Sequence, residues 1–290
     1  MLVDILTRGG KKDLVVPYFT FRRLHSHQED AQLFAAIASL RYEVYCAECN
    51  YLDQSEYESG LEADHFDERS VHMAAQSLDG LVVGTVRLVL ANPEQDFPFE
   101  EHCSLYPDFK LPPREQSGEI SRLIVKKSFR RRTGDSLQGV SKEFQEKGSA
   151  VAIVPQTKTI SGKNRRTSSP LIMLGMYREM YRFSRKNGVR YWYAAMEKGL
   201  ANLLDRMGFH FVPVGPETDY YGPVTTYVAD LRELEVKLGA ANKFMLAWFQ
   251  DEHISDWLLV STLFKFTFSQ IVAALKPRAK TSSKGSPPAH

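Results

Sequence analysis

The feature that most constrains the fold is a pair of apolar runs, VHMAAQSL and LVVGTVRLVLA, on either side of Asp79-Gly80. Asp-Gly is a favoured pair in two-residue hairpin loops, so these runs predict two antiparallel strands. A third run, GEISRLIV, begins at Gly118 and has apolar residues at positions expected of a largely buried strand. We therefore expect a sheet that begins with a hairpin and continues into a buried central strand.

Helical patterns flank this sheet. The segment before the hairpin carries an apolar stripe at helical spacing, and LVVPYFTFRRL before it predicts an edge strand. After the central strand, a helix is predicted from Pro170, with Gly188 as its stop, followed by a strand, a short helix and two more strands. This order predicts an α/β fold with a mixed sheet. The stripe of the first helix consists of Leu33, Ile37, Leu40, Val44 and Tyr45.

Composition excludes several classes of protein. The 290 residues are 43% hydrophobic and 25% charged, as in globular proteins, and the net charge is only +2. A small net charge and a basic cluster without interleaved aromatics argue against nucleic-acid binding. Three cysteines are too few for a disulfide scaffold, and Cys46 and Cys49 form a lone C-x-x-C on a predicted helix, so no metal site is predicted. These features, without a signal peptide or membrane span, favour the cytoplasm.

The chain divides into a main domain at 1–231, with a polar insertion at about 133–169, a helical extension at 232–276 and a disordered tail at 277–290. The extension is too rich in Trp, Phe and Leu to be a bare surface. It is expected to pack on the domain, on a second subunit as in a homodimer, or against a membrane surface.

Several motifs occur in a shared order: RYEVY, LEADHFD, VGTVRLV and GEISRLIV. With the predicted strand order they resemble the GNAT acyltransferase fold, in which splayed central strands hold an acyl thioester. The first half resembles the acyl-homoserine lactone synthases and N-acyl amino acid synthases, most specifically the PEP-CTERM/exosortase system-associated acyltransferases. The matching positions are Arg41, Tyr45, Tyr51, Glu62, Asp64, Asp67, Arg87, Glu119, Ser121 and Arg122.

The resemblance implies an N-acyltransferase that moves a fatty acyl group to the amine of an amino acid or a related small molecule, with no permanently bound cofactor. Only Arg131 and Gly134 fit the phosphate-loop pattern of coenzyme A-binding relatives, which favours the phosphopantetheine of an acyl carrier protein over acyl-CoA. The alternatives are a lactone synthase that uses S-adenosylmethionine and a non-catalytic module that docks a carrier protein or membrane.

Within that chemistry, Glu119 at the head of the central strand is the candidate base, acting through a water. Its alternative role is a salt bridge to Arg87 or Arg122 that joins neighbouring strands. A backbone N–H near Ser121 or Arg122 would serve the carbonyl oxygen if the strand bulges there.

The acidic loop before the hairpin offers Asp64 and Asp67 as ligands for an acceptor ammonium, or as ion-pair partners of Arg41 and Arg87 that order the loop. Arg87 itself either binds an acceptor carboxylate or is buried as a partner of these aspartates, and the second role is favoured.

Three aromatic residues, Tyr45, Tyr51 and Phe66, are candidates to line an acyl or amino-acid pocket, although aromatics at such positions often belong to the core.

A burst of cations follows the central strand. It lies where a phosphopantetheine arm would enter, and carrier proteins present acidic helices around that arm, so the cluster predicts a docking site. The alternative is a solvated basic turn. The cations are Lys126, Lys127, Arg130, Arg131 and Arg132.

Overall fold

The computed structural model describes residues 18–26, 28–130, 169–258 and 260–262. Arg131, Arg132, nearly all of the predicted insertion and the predicted tail lie outside these residues. The chain separates into two compact units, at Met1–His253 and Ile254–His290. In the second unit the described part includes a short helical segment, on which Trp257 is exposed.

Seven strands form one mixed sheet in the order β1-β2-β3-β4-β5-β7-β6. The predicted hairpin is present between β2 and β3, where Gly80 has φ 85° in the turn. The first strand, β1, lies at one edge of the sheet, as predicted. The strands are β1 Phe19–Leu24, β2 Ser70–Ser77, β3 Val82–Leu90, β4 Ser117–Val125, β5 Tyr191–Met196, β6 Val212–Asp219 and β7 Pro223–Asp230.

The described helices follow the predicted order. The first begins after Asp30, whose side chain accepts a hydrogen bond from the Leu33 N–H at 2.9 Å and so caps the helix. It runs into a π-helical segment, Glu43–Glu48, which the periodicity did not indicate. The helices are α1 Ala31–Tyr42, α2 Pro98–His102, α3 Ser169–Lys186, α4 Lys198–Arg206, α5 Leu231–Ala241 and α6 Lys243–Gln250.

The central strands β4 and β5 run parallel but pair over only three positions, from Ser117 opposite Tyr191 to Glu119 opposite Tyr193. Beyond Glu119 the two strands have no paired residues. This splay opens a gap in the middle of the sheet, and it confirms the predicted fold class, a mixed α/β sheet with separated central strands.

A β-bulge interrupts β4 directly after the splay begins. Ser121 lies opposite Arg87 on β3 and Ile124 lies opposite Thr85, so β4 has one residue more than β3 across this interval. Arg122 lies in the bulge with φ 51°, a left-handed conformation that is rare for a residue other than glycine. The bulge therefore reorients the side chains of β4 at the gap.

The last described helix of the main unit, α6, covers its aromatic residues by packing on α3. Phe249 lies edge-on to Tyr181 with ring centroids 5.7 Å apart, and the Arg178 guanidinium lies 4.3 Å from the Trp248 ring centroid. Of the three coverings expected for this extension, α6 therefore uses the domain itself. No described helix is both long and apolar enough to cross a membrane.

Candidate active site

A pocket of about 110 Å³ lies in the gap between the splayed strands. Its walls come from β4, the end of β5, the β6–β7 hairpin and the segment after α1. The lining residues are Tyr45, Tyr51, Glu119, Ile120, Ser121, Arg122, Ala195, Met196, Glu197, Tyr220, Tyr221 and Val224.

Glu119 lies at the closed end of the gap, where the pairing of β4 and β5 stops, and it is only 2% exposed. Its Oε2 accepts a hydrogen bond from the Phe99 backbone N–H at 2.9 Å. Among the described residues it forms no ion pair with Arg87 or Arg122, which removes the strand-joining salt bridge as its role. Burial raises the pKa of Glu119 to about 8 because a buried carboxylate loses its hydration. A carboxylate of this kind exchanges protons near neutral pH.

Next to the pocket, six charged side chains form a single ion-pair cluster of three arginines and three carboxylates. Arg41, fully buried on α1, donates to Glu62 and, at 2.8 Å, to Asp67. Burial alone would raise the pKa of Asp67, but the neighbouring arginines lower it well below its ordinary value. The members of this arginine–carboxylate cluster are Arg41, Glu62, Asp64, Asp67, Arg87 and Arg122.

The remaining two arginines connect the cluster to the central strands. Arg87 on β3 donates to Asp64 at 2.5 Å and to Asp67 at 2.8 Å, and its Nε donates to Ser121 Oγ at 2.9 Å. Arg122 in the bulge contacts Glu62 at 3.0 Å and Asp64 at 3.1 Å. The bulge and the acidic loop are thus held together by charge-assisted hydrogen bonds.

These contacts distinguish between the roles left open for the acidic loop. Asp67 and Glu62 are buried against arginines, and Asp64 also begins the short 3₁₀ turn His65–Arg69 as its N-cap. Arg87 is buried as the partner of both aspartates. The loop carboxylates therefore pair with arginines, and neither Arg87 nor Asp67 lines the pocket.

The three candidate aromatic residues lie in two different environments. Tyr45 and Tyr51 line the pocket, and the Arg122 guanidinium lies 5.1 Å from the Tyr45 ring centroid. Phe66 instead packs in a core cluster with Phe97 and Phe99. The expectation that Phe66 lines a pocket is corrected, because its position in the 3₁₀ turn directs it into the core.

The predicted docking cations also differ from one another. Arg130 is buried and holds Glu48 through two hydrogen bonds at 2.6 and 2.7 Å, while Lys126 pairs with Glu43. Lys127 is 65% exposed and only 3.6 Å from Glu48. The burial of Arg130 corrects the expectation that it faces a partner, since its charge is used to attach the end of β4 to the π-helical segment.

Sequence reasoning missed three polar pocket residues, Glu197, Tyr220 and Tyr221. Glu197 directly follows β5, and the two tyrosines lie at the tip of the β6–β7 hairpin, where Tyr221 has φ 57°. The Tyr221 ring lies 5.6 Å from that of Tyr51. The YYG triplet before the last strand was the available signal, because Gly222 indicates a tight turn that places both tyrosines at one end of the sheet.

Comparison with known proteins agrees with this geometry. Residues 40–138 match the family described as acetyltransferase (GNAT) domain, a stretch that includes β2 to β4 and the whole arginine–carboxylate cluster. Two solved structures have a similar fold: TofI in a ternary complex with an inhibitor and MTA, and the acyl-homoserine lactone synthase LasI. Each has a TM-score of 0.51 and 16% identity, over 77% of this chain and 95% of its own. No curated protein sequence matches significantly.

Together, the match of residues 40–138 and the splayed sheet show that the chain has a GNAT-like fold, with the pocket in the gap between its central strands.

Proposed function

We propose that this protein transfers a fatty acyl group from the phosphopantetheine thioester of an acyl carrier protein to the amine of an amino acid or a related small molecule. The observation that carries the proposal is Glu119, a buried carboxylate without an ion-pair partner among the described residues, at the end of a pocket in the splayed sheet. We also propose that the protein acts in the cytoplasm and is related to the PEP-CTERM/exosortase-associated acyltransferases that its sequence resembles.

In the proposed reaction the amine nitrogen attacks the thioester carbonyl carbon. The C–N bond forms, the C–S bond breaks, and the electron pair of that bond leaves with the thiolate. The attacking nitrogen becomes positively charged, Glu119 accepts its proton through a water, and the thiolate takes up a proton from water as it leaves. A pKa of about 8 suits Glu119 to this role, because a base is most effective when its pKa lies near the working pH.

The bulge supports a site for the developing oxyanion. In the register of β3 and β4, Arg122 and Leu123 have no partner residue on β3. Their backbone groups are therefore candidates to donate to the carbonyl oxygen as it becomes negative, and fixed donors of this kind supply a large part of the catalysis of acyl transfer.

The splay of β4 and β5 supports a binding site for the phosphopantetheine arm of the thioester. From Ile120 onward the edge of β4 that faces β5 has no paired strand. Such an edge offers backbone donors and acceptors to an extended ligand that contains amides, and phosphopantetheine is a ligand of this type.

The proposed acyl donor, an acyl carrier protein, is supported by the cations just beyond β4. Lys127 extends into solvent just beyond β4, next to Arg131 and Arg132 in the sequence. An acidic carrier protein would be attracted to such a group of cations.

The test is mass spectrometry of products formed from acyl carrier protein loaded with dodecanoate and a mixture of amino acids and simple amines. We expect an N-dodecanoyl product with the wild type and a strongly reduced yield with Glu119→Gln. Dodecanoyl-CoA in parallel assays compares the two donors. A lactone product that depends on S-adenosylmethionine would favour the alternative synthase, and no acylated product with any donor would refute the proposal.

A further inference from the structure

The charges that line the pocket restrict which acceptor can bind there. Three lining residues other than the tyrosines are ionisable: Glu119, Glu197 and Arg122. Arg122 is the only described cation among them, and it contacts Glu62 at 3.0 Å and Asp64 at 3.1 Å. The charge of Arg122 is thus already balanced by protein carboxylates.

The arginines behind the pocket are balanced as well. Arg41 and Arg87 are buried, and both hold Asp67 at 2.8 Å. The arginine–carboxylate cluster as a whole has equal numbers of positive and negative groups. Within the described residues, each arginine of the cluster already pairs with at least one protein carboxylate, and Arg122 is the only one of the three that lines the pocket.

Glu197 adds a negative charge at the mouth of the pocket. It is exposed between the end of β5 and the start of α4, and the described part of the chain contains no ion-pair partner for it. Tyr51 and Tyr221 lie beside it in the lining, with ring centroids 5.6 Å apart. A carboxylate next to aromatic rings attracts a cation and repels an anion.

We propose that the acceptor is a small cationic amine without a free carboxylate, such as a diamine, and that Glu197 binds its non-reacting ammonium group. One amine would lie near Glu119 as the nucleophile, while the other remains charged at the mouth. A free amino acid would bring its carboxylate into a pocket whose arginine is already paired and whose rim is negative, and like charges in contact disfavour binding. This inference rests on the proposed function and narrows its acceptor.

The test uses three acceptors that differ by one group each: 1,5-diaminopentane, L-lysine, which adds a carboxylate, and 1-aminopentane, which lacks the second amine. Dodecanoyl-pantetheine serves as the donor, so carrier-protein docking does not enter. We expect kcat/KM for the diamine to exceed that for lysine by about tenfold or more. We expect it to exceed that for the monoamine by about three- to tenfold.

The variant Glu197→Gln should reduce the preference for the diamine over the monoamine toward unity, mainly through KM. Glu217→Gln, which removes another exposed carboxylate outside the pocket, should preserve the preference. Because each preference is a ratio measured on one enzyme, partial unfolding of a variant does not alter it.

Lysine acylated as efficiently as the diamine, or a preference unchanged in Glu197→Gln, would overturn the inference while leaving the acyltransferase proposal intact. Absence of acyl transfer to every amine would instead refute the proposed function, and the inference with it.

Discussion

Replacement of Glu119 by glutamine should make the protein more stable while it removes activity. Glutamine has the shape of a protonated glutamate, and its carbonyl oxygen can still accept the hydrogen bond from the Phe99 N–H. Activity should fall by about 10²-fold or more because the base is lost. Stability should rise because a buried ionisable group is replaced by a neutral one.

The size of this stability gain and its pH dependence follow from the difference between the pKa values of Glu119 in the folded and unfolded states. Between its ordinary pKa of 4.5 and its folded value of about 8, Glu119 is protonated in the folded state and ionised in the unfolded state. Folding then requires uptake of a proton, so the contribution of Glu119 to stability falls as pH rises through this interval. At about 1.4 kcal/mol per pH unit the upper limit is about 5 kcal/mol, and we expect about 2–5 kcal/mol at pH 8.

Thermal unfolding followed by circular dichroism tests this directly. The melting temperature of Glu119→Gln should match the wild type near pH 4.5 and exceed it by roughly 5–15 °C at pH 8. Glu115→Gln, which changes an exposed carboxylate just before β4, should show little difference at either pH. A melting temperature of Glu119→Gln below that of the wild type at pH 8 would refute the reasoning. So would a difference in melting temperature that is the same at both pH values.

Three further predictions follow from the cluster, the pocket and the surface. Arg87→Ala should lower the free energy of unfolding by about 3–5 kcal/mol in urea titrations, since it removes one of the two arginine partners of Asp64 and of the buried Asp67; an unchanged value would contradict a structural role. Tyr221→Leu should raise the acceptor KM several-fold, roughly the effect of one aromatic contact, whereas Tyr106→Leu, outside the pocket, should not; equal effects would argue against the pocket. Lys127→Glu should slow association with acyl carrier protein and reduce its sensitivity to salt above roughly 0.1 M. Lys237→Glu on α5 is the control, and an equal loss there would contradict docking at Lys127.

Much of the fold was predictable because its signals are local. Asp79-Gly80 specified the hairpin, and the stripe on α1 and the stop at Gly188 specified helices, since each depends on residues close in sequence. The position of Glu119 in the gap followed from the strand order and the family resemblance.

The site was less predictable because it depends on long-range contacts. Arg130 and Glu48 are 82 positions apart, so the sequence could not distinguish a buried pair from an exposed docking cation. The bulge places Arg122 at positive φ, a conformation for which a non-glycine residue gives no sequence signal. Tyr221 enters the pocket through the β6–β7 hairpin, which lies far along the chain from β4.

The central claim is that Glu119 is the base for acyl transfer, and the pH dependence of kcat/KM tests it most directly. Hydroxylamine is a suitable acceptor because its nitrogen is already largely neutral at about pH 7, so its own ionisation does not mask that of the enzyme. With dodecanoyl-pantetheine as donor, and the rate of Glu119→Gln subtracted, kcat/KM should rise about tenfold per pH unit and level off above a pH of about 8. A profile that is flat across this range, or a wild type no faster than Glu119→Gln, would contradict the account.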